Sequence, residues 1–270
     1  MEQQQMAHCE IWSKAMTACM DSVYVAALLG VGDAIVIKPL LKIWSSHYNK
    51  IYWPAVPNNF VTVQQLFSDL RNVEVLSRPD EQWEQQWLQQ NNVPVLNLRK
   101  IIQETAVSYS NSHFCNVAVH WDRQIYEYFD VRFGVRYSEW TAPFDHERSQ
   151  QLYLKLNPLD EPYVLWHNAT SYLESTAIDL ASWRQSQNLP SLKIISVTPE
   201  TNNLLDWYHL IKHAQEIHCV PSSMFCLVDS LHKETGAQLF YHDVRHNSIL
   251  QVNSNHNSHR WTVIPYTYKI

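Results

Sequence analysis

Short apolar segments alternate along this chain with longer amphipathic ones, and that alternation constrains the fold more than any other feature. Strands that are apolar along their whole length are buried on both faces. Parallel pairs of such strands need a crossover of about a dozen residues or more, usually a helix. Residues 23–29 (VYVAALL) read as the first strand, and the segment LLGVGDAIVIKPLLKIWSSHY at 28–48 as a loop running into a helix. Strands at 50–53 (KIYW), 73–76 and 93–98 (VPVLNL) follow, separated by helical patterns at 64–70 and 80–90. Residues 114–119 read as a further strand and 121–129 (WDRQIYEYF) as an aromatic-rich helix. A second series has strands at 163–166, 193–197, 216–220 and 238–242 and helices at 178–187, 203–213 and 224–234. Between the two series, residues 134–159 carry Pro143, Pro158 and no sustained periodicity. The expectation is an α/β protein of two Rossmann-like domains facing across a cleft, compact, with residues 1–140 and 161–270 as the domains and 141–160 as the linker region. The final strand-like run WTVIPYTY has no place in this scheme.

At 270 residues and 46% hydrophobic content the chain is long enough to bury a substantial core. Its formal charge of -6, with no Lys/Arg cluster, argues against a nucleic-acid surface, which needs several cations on one face. The longest apolar stretch, 23–41, is broken by Asp33, Lys38 and Pro39 and makes a poor membrane span. The first ten residues, MEQQQMAHCE, lack the pattern of a secretory signal. Five irregularly spaced cysteines fit reduced thiols, so a cytoplasmic location is expected. Eleven Trp, fourteen Tyr and fourteen His give rings with an apolar face and a polar edge, which suit sugars or nucleobases and equally an aromatic core.

Two of only four glycines, Gly30 and Gly32, lie in the first loop. A G-x-G after a strand invites a dinucleotide reading, but the third glycine of that fingerprint would fall at Ile35, which disfavours a nicotinamide-dependent oxidoreductase. Gly32-Asp33 instead opens a helix. A carboxylate there is favoured by the helix dipole and should stay ionised, ready to accept a proton; the alternative role for Asp33 is a plain helix cap. In the second loop, LWHNATSYLEST, Asn168, Thr170 and Ser171 place an amide and two hydroxyls beyond a strand end. In the third, Pro221, Ser222 and Ser223 join a strand to a helix, where they also make good helix-start residues.

The combination resembles a family. GDAIVIKPLLKIW is similar to the Gly-Asp, apolar run, Pro signature that opens the bacterial lipopolysaccharide heptosyltransferases (glycosyltransferase family 9) and related glycosyltransferases of the two-Rossmann GT-B fold. WHNATS looks like their strand-end loop for the donor diphosphate, and residues 204–242 resemble their late nucleotide-sugar segment. The resemblance implies an inverting, metal-independent glycosyltransferase acting on a nucleotide-sugar donor and a glycan or glycoconjugate acceptor, with no metal or other cofactor. It implies Asp33 as the base, with Gly30 and Gly32 shaping its loop. Asn168, Thr170, Ser171, Ser222 and Ser223 would hold the donor. The late loop departs from the family: its acid, glycine and histidine are replaced around Pro221, Ser223 and Cys226, and Glu174 lies near where a lysine is usual. A remote branch with a donor other than a heptose nucleotide is therefore the expectation, and a non-catalytic sugar-nucleotide-binding protein on the same fold is the alternative.

Other groups draw attention. His242 and Arg245, with Asp243 and His246 at the end of the last assigned strand, are further donor contacts. His209 and His213 at helical spacing would present two metal ligands but no third. Asp122 and Arg123 read as a helix cap and an ion pair, the alternative being an acceptor-side feature, and Cys219 and Cys226 sit in apolar segments with no base to activate them.

Overall fold

The computed structural model describes residues 20–27, 30–101, 121–169, 178–244 and 261–265. The first apolar segment forms β1 (Met20–Ala26), beginning three residues earlier than the sequence pattern indicates. It is followed by α1 (Val31–Trp44), β2 (Tyr48–Ala55), α2 (Pro57–Leu66), β3 (Val73–Ser77), α3 (Glu81–Asn91) and β4 (Val95–Asn97). These strands make a parallel sheet in the order β3-β2-β1-β4. α2 starts well before the expected 64–70 because Pro57 occupies its first turn, where a missing N–H costs nothing. The expected strand at 114–119 lies outside the described residues.

Next come α4 (Trp121–Tyr128), α5 (Val135–Ser138) and α6 (His146–Leu156). The segment expected to be an irregular linker is thus largely helical. Its signal was the Asp145 cap, whose carboxylate accepts the Arg148 N–H at 3.0 Å. α6 packs on the second unit, formed by β5 (Tyr163–His167), α7 (Leu180–Ser186), β6 (Lys193–Ser196), a 3-10 turn (Leu204–Trp207), α8 (Tyr208–His213), β7 (Glu216–Cys219), α9 (Ser223–Ser230), β8 (Gln238–Asp243) and β9 (Trp261–Pro265). Its sheet is parallel, in the order β6-β5-β7-β8-β9. The unplaced WTVIPYTY run supplies β9, the edge strand beside β8.

One apolar core runs through both units. Val23, Val25 and Ile51 of the first sheet, Ile35, Val36 and Leu40 of α1, Phe225 and Leu227 of α9, and Ile217 and Tyr241 of the second sheet belong to the same buried cluster. Where α1 meets this core, Pro39 sits in the middle of the helix and has no N–H for the Ile35 carbonyl. The Trp140 indole donates to that carbonyl at 3.0 Å, and the Tyr126 hydroxyl donates to the neighbouring Val36 carbonyl at 2.8 Å. Below the contact lies a buried charge cluster. Arg136 of α5, wholly buried, pairs with Asp122 of α4 and, at 2.9 Å, with Asp229 of α9, which also accepts from the Tyr137 hydroxyl at 3.1 Å and the Trp261 indole at 3.0 Å. Asp122 is thus ion-paired with Arg136, while Arg123 forms its ion pair with Glu127 one turn on.

Candidate functional site

In open parallel sheets, ligands bind beyond the carboxyl ends of the strands, at the point where strand order reverses. That point lies between β1 and β4 in the first sheet and between β5 and β7 in the second. The loops singled out in the sequence flank these two points. The first and third also meet: a Cβ on Gly32 would lie 3.2 Å from the Cys226 sulfur and 3.4 Å from the Ser223 Cα. The first turn of α1 and the first turn of α9 are thus in contact, and the carboxyl edges of the two sheets converge there. A side chain at position 32 would crowd this approach, so that the Cys226 sulfur would have to give by a few tenths of an ångström.

Gly30 has a second role. It caps α1 in extended conformation, and its N–H donates to Asp33 Oδ2 at 3.0 Å. A Cβ at position 30 would sit 2.6 Å from that oxygen, so a side chain there would push the carboxylate away. Held in this way, Asp33 is half-buried, and desolvation raises its pKa from 3.8 to about 6 against the opposing pull of the Gly30 N–H. Burial outweighs the Gly30 N–H in setting this value. The carboxylate is still mainly ionised at neutral pH and is a better base than an exposed one.

In the second unit Asn168 follows β5 directly and is partly exposed. Ser222 is the cap of α9, its Oγ accepting the Phe225 N–H at 3.2 Å, and Ser223 backs onto Gly32. The N–H groups of Ser223 and Met224 are among the first-turn donors that a helix leaves without an intrahelical acceptor. Thr170, Ser171, Glu174, Arg245 and His246 lie outside the described residues.

His242 is placed differently from the expectation. Its ring is fully buried against Trp166 and Trp183, and its Nε2 lies 2.9 Å from His218 Nδ1. His218 in turn meets the Glu216 carboxylate at 3.2 Å, and Glu216 pairs with Arg184. Strand alternation explains this: His242 shares the face of Phe240 and His218, which α7 covers. It belongs to a buried polar chain inside the second unit. Desolvation lowers both rings, His242 to about 4.

Two groups lie on the opposite face: Asp243, which the sequence places beside His242, and His167, which sequence reasoning missed. His167 ends β5 and Asp243 ends β8; His167 Nδ1 and Asp243 Oδ1 are buried with no hydrogen-bond partner among the described residues. The position of His167 as the last residue of β5, at the head of the WHNATS loop, is the signal that could have found it. Burial lowers His167 to about 4, so its ring is neutral.

Cys219 and Cys226 are free, buried thiols pushed upward by desolvation, unsuited to nucleophilic work. His209 stacks on His213 with ring centres 6.0 Å apart and contacts Ser149 of α6 at 3.0 Å. Among the described residues, no group of three or more His, Cys, Asp or Glu is arranged to hold a metal ion. None of their helices is long and apolar enough to cross a membrane.

No family model matches the chain, and no curated protein does. Solved structures do. The glycosyl transferase family 9 protein from Veillonella parvula DSM 2008 is similar over 91% of this chain and 86% of its own, with a TM-score of 0.52 and 11% identity. E. coli heptosyltransferase WaaC with ADP matches over 92% and 94% at a TM-score of 0.44 and 12% identity. The same enzyme with ADP-2-deoxy-2-fluoro heptose matches over 89% and 96% at 0.43 and 12%. At 11% identity, what this chain shares with the Veillonella protein is the fold, the paired Rossmann-like arrangement expected from the sequence.

Proposed function

We propose that this protein is an inverting glycosyltransferase that moves a sugar from a nucleotide-sugar donor to a hydroxyl of a glycan or glycoconjugate. The observation that carries the reading is Asp33, a carboxyl with its pKa raised to about 6, held at the convergence of two parallel-sheet carboxyl edges. The acceptor hydroxyl would give its proton to Asp33 as its oxygen bonds to the anomeric carbon. On the opposite side, the bond to the nucleotide diphosphate breaks and the diphosphate leaves with the electron pair. The negative charge that develops there suits the first-turn N–H groups of α9 and the amide and hydroxyl groups of Asn168, Thr170, Ser171, Ser222 and Ser223, without requiring a metal. His167 Nδ1 and Asp243 Oδ1 are further polar groups for the sugar or its nucleotide. With no membrane-spanning helix among the described residues, a cytoplasmic site of action fits this chemistry.

A thermal-shift screen against UDP-, GDP-, ADP-, CMP- and dTDP-sugars, with and without chelator and with NAD as control, tests donor binding, because a ligand of the native state raises its melting temperature. A chelator-insensitive rise with one sugar nucleotide is expected; a rise with NAD alone would overturn the reading. With the donor in hand, Asp33→Asn should lower transfer by about 10²–10⁴-fold, the typical range for a lost general base, with donor affinity nearly unchanged. Undiminished transfer would remove Asp33 from the mechanism. A binding protein without turnover is the second reading, favoured by the capping duty of Ser222 and by the altered late loop; donor binding by the wild type with no transfer to any acceptor would select it.

A further inference from the structure

The face of the first sheet turned away from α1 carries a second polar cluster at its carboxyl edge. Glu84 of α3, 8% exposed, accepts the Tyr24 hydroxyl at 2.8 Å and the Arg78 Nε–H at 2.7 Å. Arg99 Nη2 lies 3.6 Å from the same carboxylate, and the Arg99 Nε–H donates to the Ala27 carbonyl at 2.6 Å. Two guanidinium groups therefore share one buried carboxylate. A second acid, Glu81, is 4.0 Å from Arg78 Nη2, but it is solvent-exposed and its charge is screened.

The donors do not balance. Arg78 is 5% exposed, and Nη2 of both Arg78 and Arg99 is buried with no hydrogen-bond acceptor among the described residues. A buried donor left unpaired costs on the order of 1–3 kcal/mol, more when it is charged, so two on one edge call for an acceptor. Their location says which kind. Arg78 follows the last residue of β3; Arg99 stands two residues past β4 and is bonded to the end of β1, beside the strand-order reversal and the loop that leads to Asp33.

We propose that Arg78 and Arg99 form an anion subsite that takes a carboxylate or phosphate monoester group of the acceptor. Guanidinium N–H groups match the oxygens of either anion, and the surplus positive charge over Glu84 favours it. Calling the ligand an acceptor rests on the glycosyltransferase reading; binding of the anion does not.

The test uses the full chain and two probes, glucose 6-phosphate and glucuronate, with glucose as neutral control at constant ionic strength, followed by calorimetric titration and thermal shift. Binding of at least one anionic sugar, with none of glucose, is expected; the preferred probe tells phosphate from carboxylate. Arg99→Gln should weaken that binding by about tenfold or more, since charge-assisted hydrogen bonds are among the strong ones. Arg78→Gln leaves Glu84 short of a partner and risks misfolding, so the partly exposed Arg99 carries the test. Equal affinity in wild type and Arg99→Gln, or no discrimination between the anions and glucose, would overturn the proposal. Neither result bears on the nucleotide-sugar screen, so failure of this subsite and failure of the donor reading are separable.

Discussion

Burying Asp33 has a stability consequence of definite sign. With its pKa raised from 3.8 to about 6, the folded chain holds this proton more tightly than the unfolded chain does. The group's contribution to stability is therefore greatest below about pH 4 and is lost as pH rises through about 6. Asp33→Asn keeps an oxygen for the Gly30 N–H and removes the charge. It should raise stability by about 1–3 kcal/mol near pH 7.5 and change it little near pH 3.5, as read by urea unfolding. A loss of stability near pH 7.5 would contradict the buried carboxylate described above. A second residue-scale test concerns the carbonyl that Pro39 leaves without a helical donor. Trp140→Phe should cost about 1–2 kcal/mol. In a Pro39→Ala background, where residue 39 has its own N–H, the same change should cost clearly less. Equal costs in the two backgrounds would show that the Ile35 carbonyl does not depend on the indole.

At the scale of elements, scarce glycine is explained by substitution of function. Left-handed backbone conformations occur at Asn92, Asp130, Asp160 and Asn188, each at or shortly after the end of a helix, and at none of the glycines. Asn and Asp tolerate that conformation and replace glycine there. Gly32 serves the α1–α9 contact instead. Gly32→Val should destabilise the chain by about 1–3 kcal/mol through overpacking, and Cys226→Ala should relieve part of it. Additive costs in the double variant would mean that the two residues do not press on each other. The buried His218–His242 pair across β7 and β8 gives the second unit an acid limit. Rings held neutral by burial stabilise the fold fully above their ordinary 6.5, and that contribution is lost as pH falls toward the lowered value near 4. His242→Phe should flatten the fall in melting temperature between about pH 7 and pH 5. An undiminished fall would place the acid sensitivity elsewhere.

For the whole molecule, the common core and the Arg136 cluster tie the two units together. Arg136→Ala removes the buried cation from two carboxylates, Asp122 of α4 and Asp229 of α9. A loss of about 3–5 kcal/mol in chemical denaturation is expected, larger than that of Asp229→Asn. A second tie supports it: Asn203 and Arg148 both donate to Gln65 Oε1 of α2, at 2.7 and 2.6 Å, and the Leu204 N–H donates to Thr62 at 3.0 Å.

The two βα series, the parallel sheets, the three loops at their carboxyl edges and the carboxyl at the start of α1 are all legible in the amino-acid sequence. Hydrophobic period, Asx and Ser caps and Pro57 act within a few residues, so they are readable without a structure. The sequence misled at α6, where the local signal was weak, and left the strand-like run of β9 without a place in a sheet. The basicity of Asp33, the withdrawal of His242 into a buried chain, the lack of partners for His167 Nδ1 and Asp243 Oδ1 among the described residues, and the sharing of Glu84 by Arg78 and Arg99 all arise from tertiary packing. Desolvation and ion pairing depend on what covers a group. Here the covering residues come from far along the chain: Tyr24 reaches Glu84 across 60 positions and Arg136 reaches Asp229 across 93.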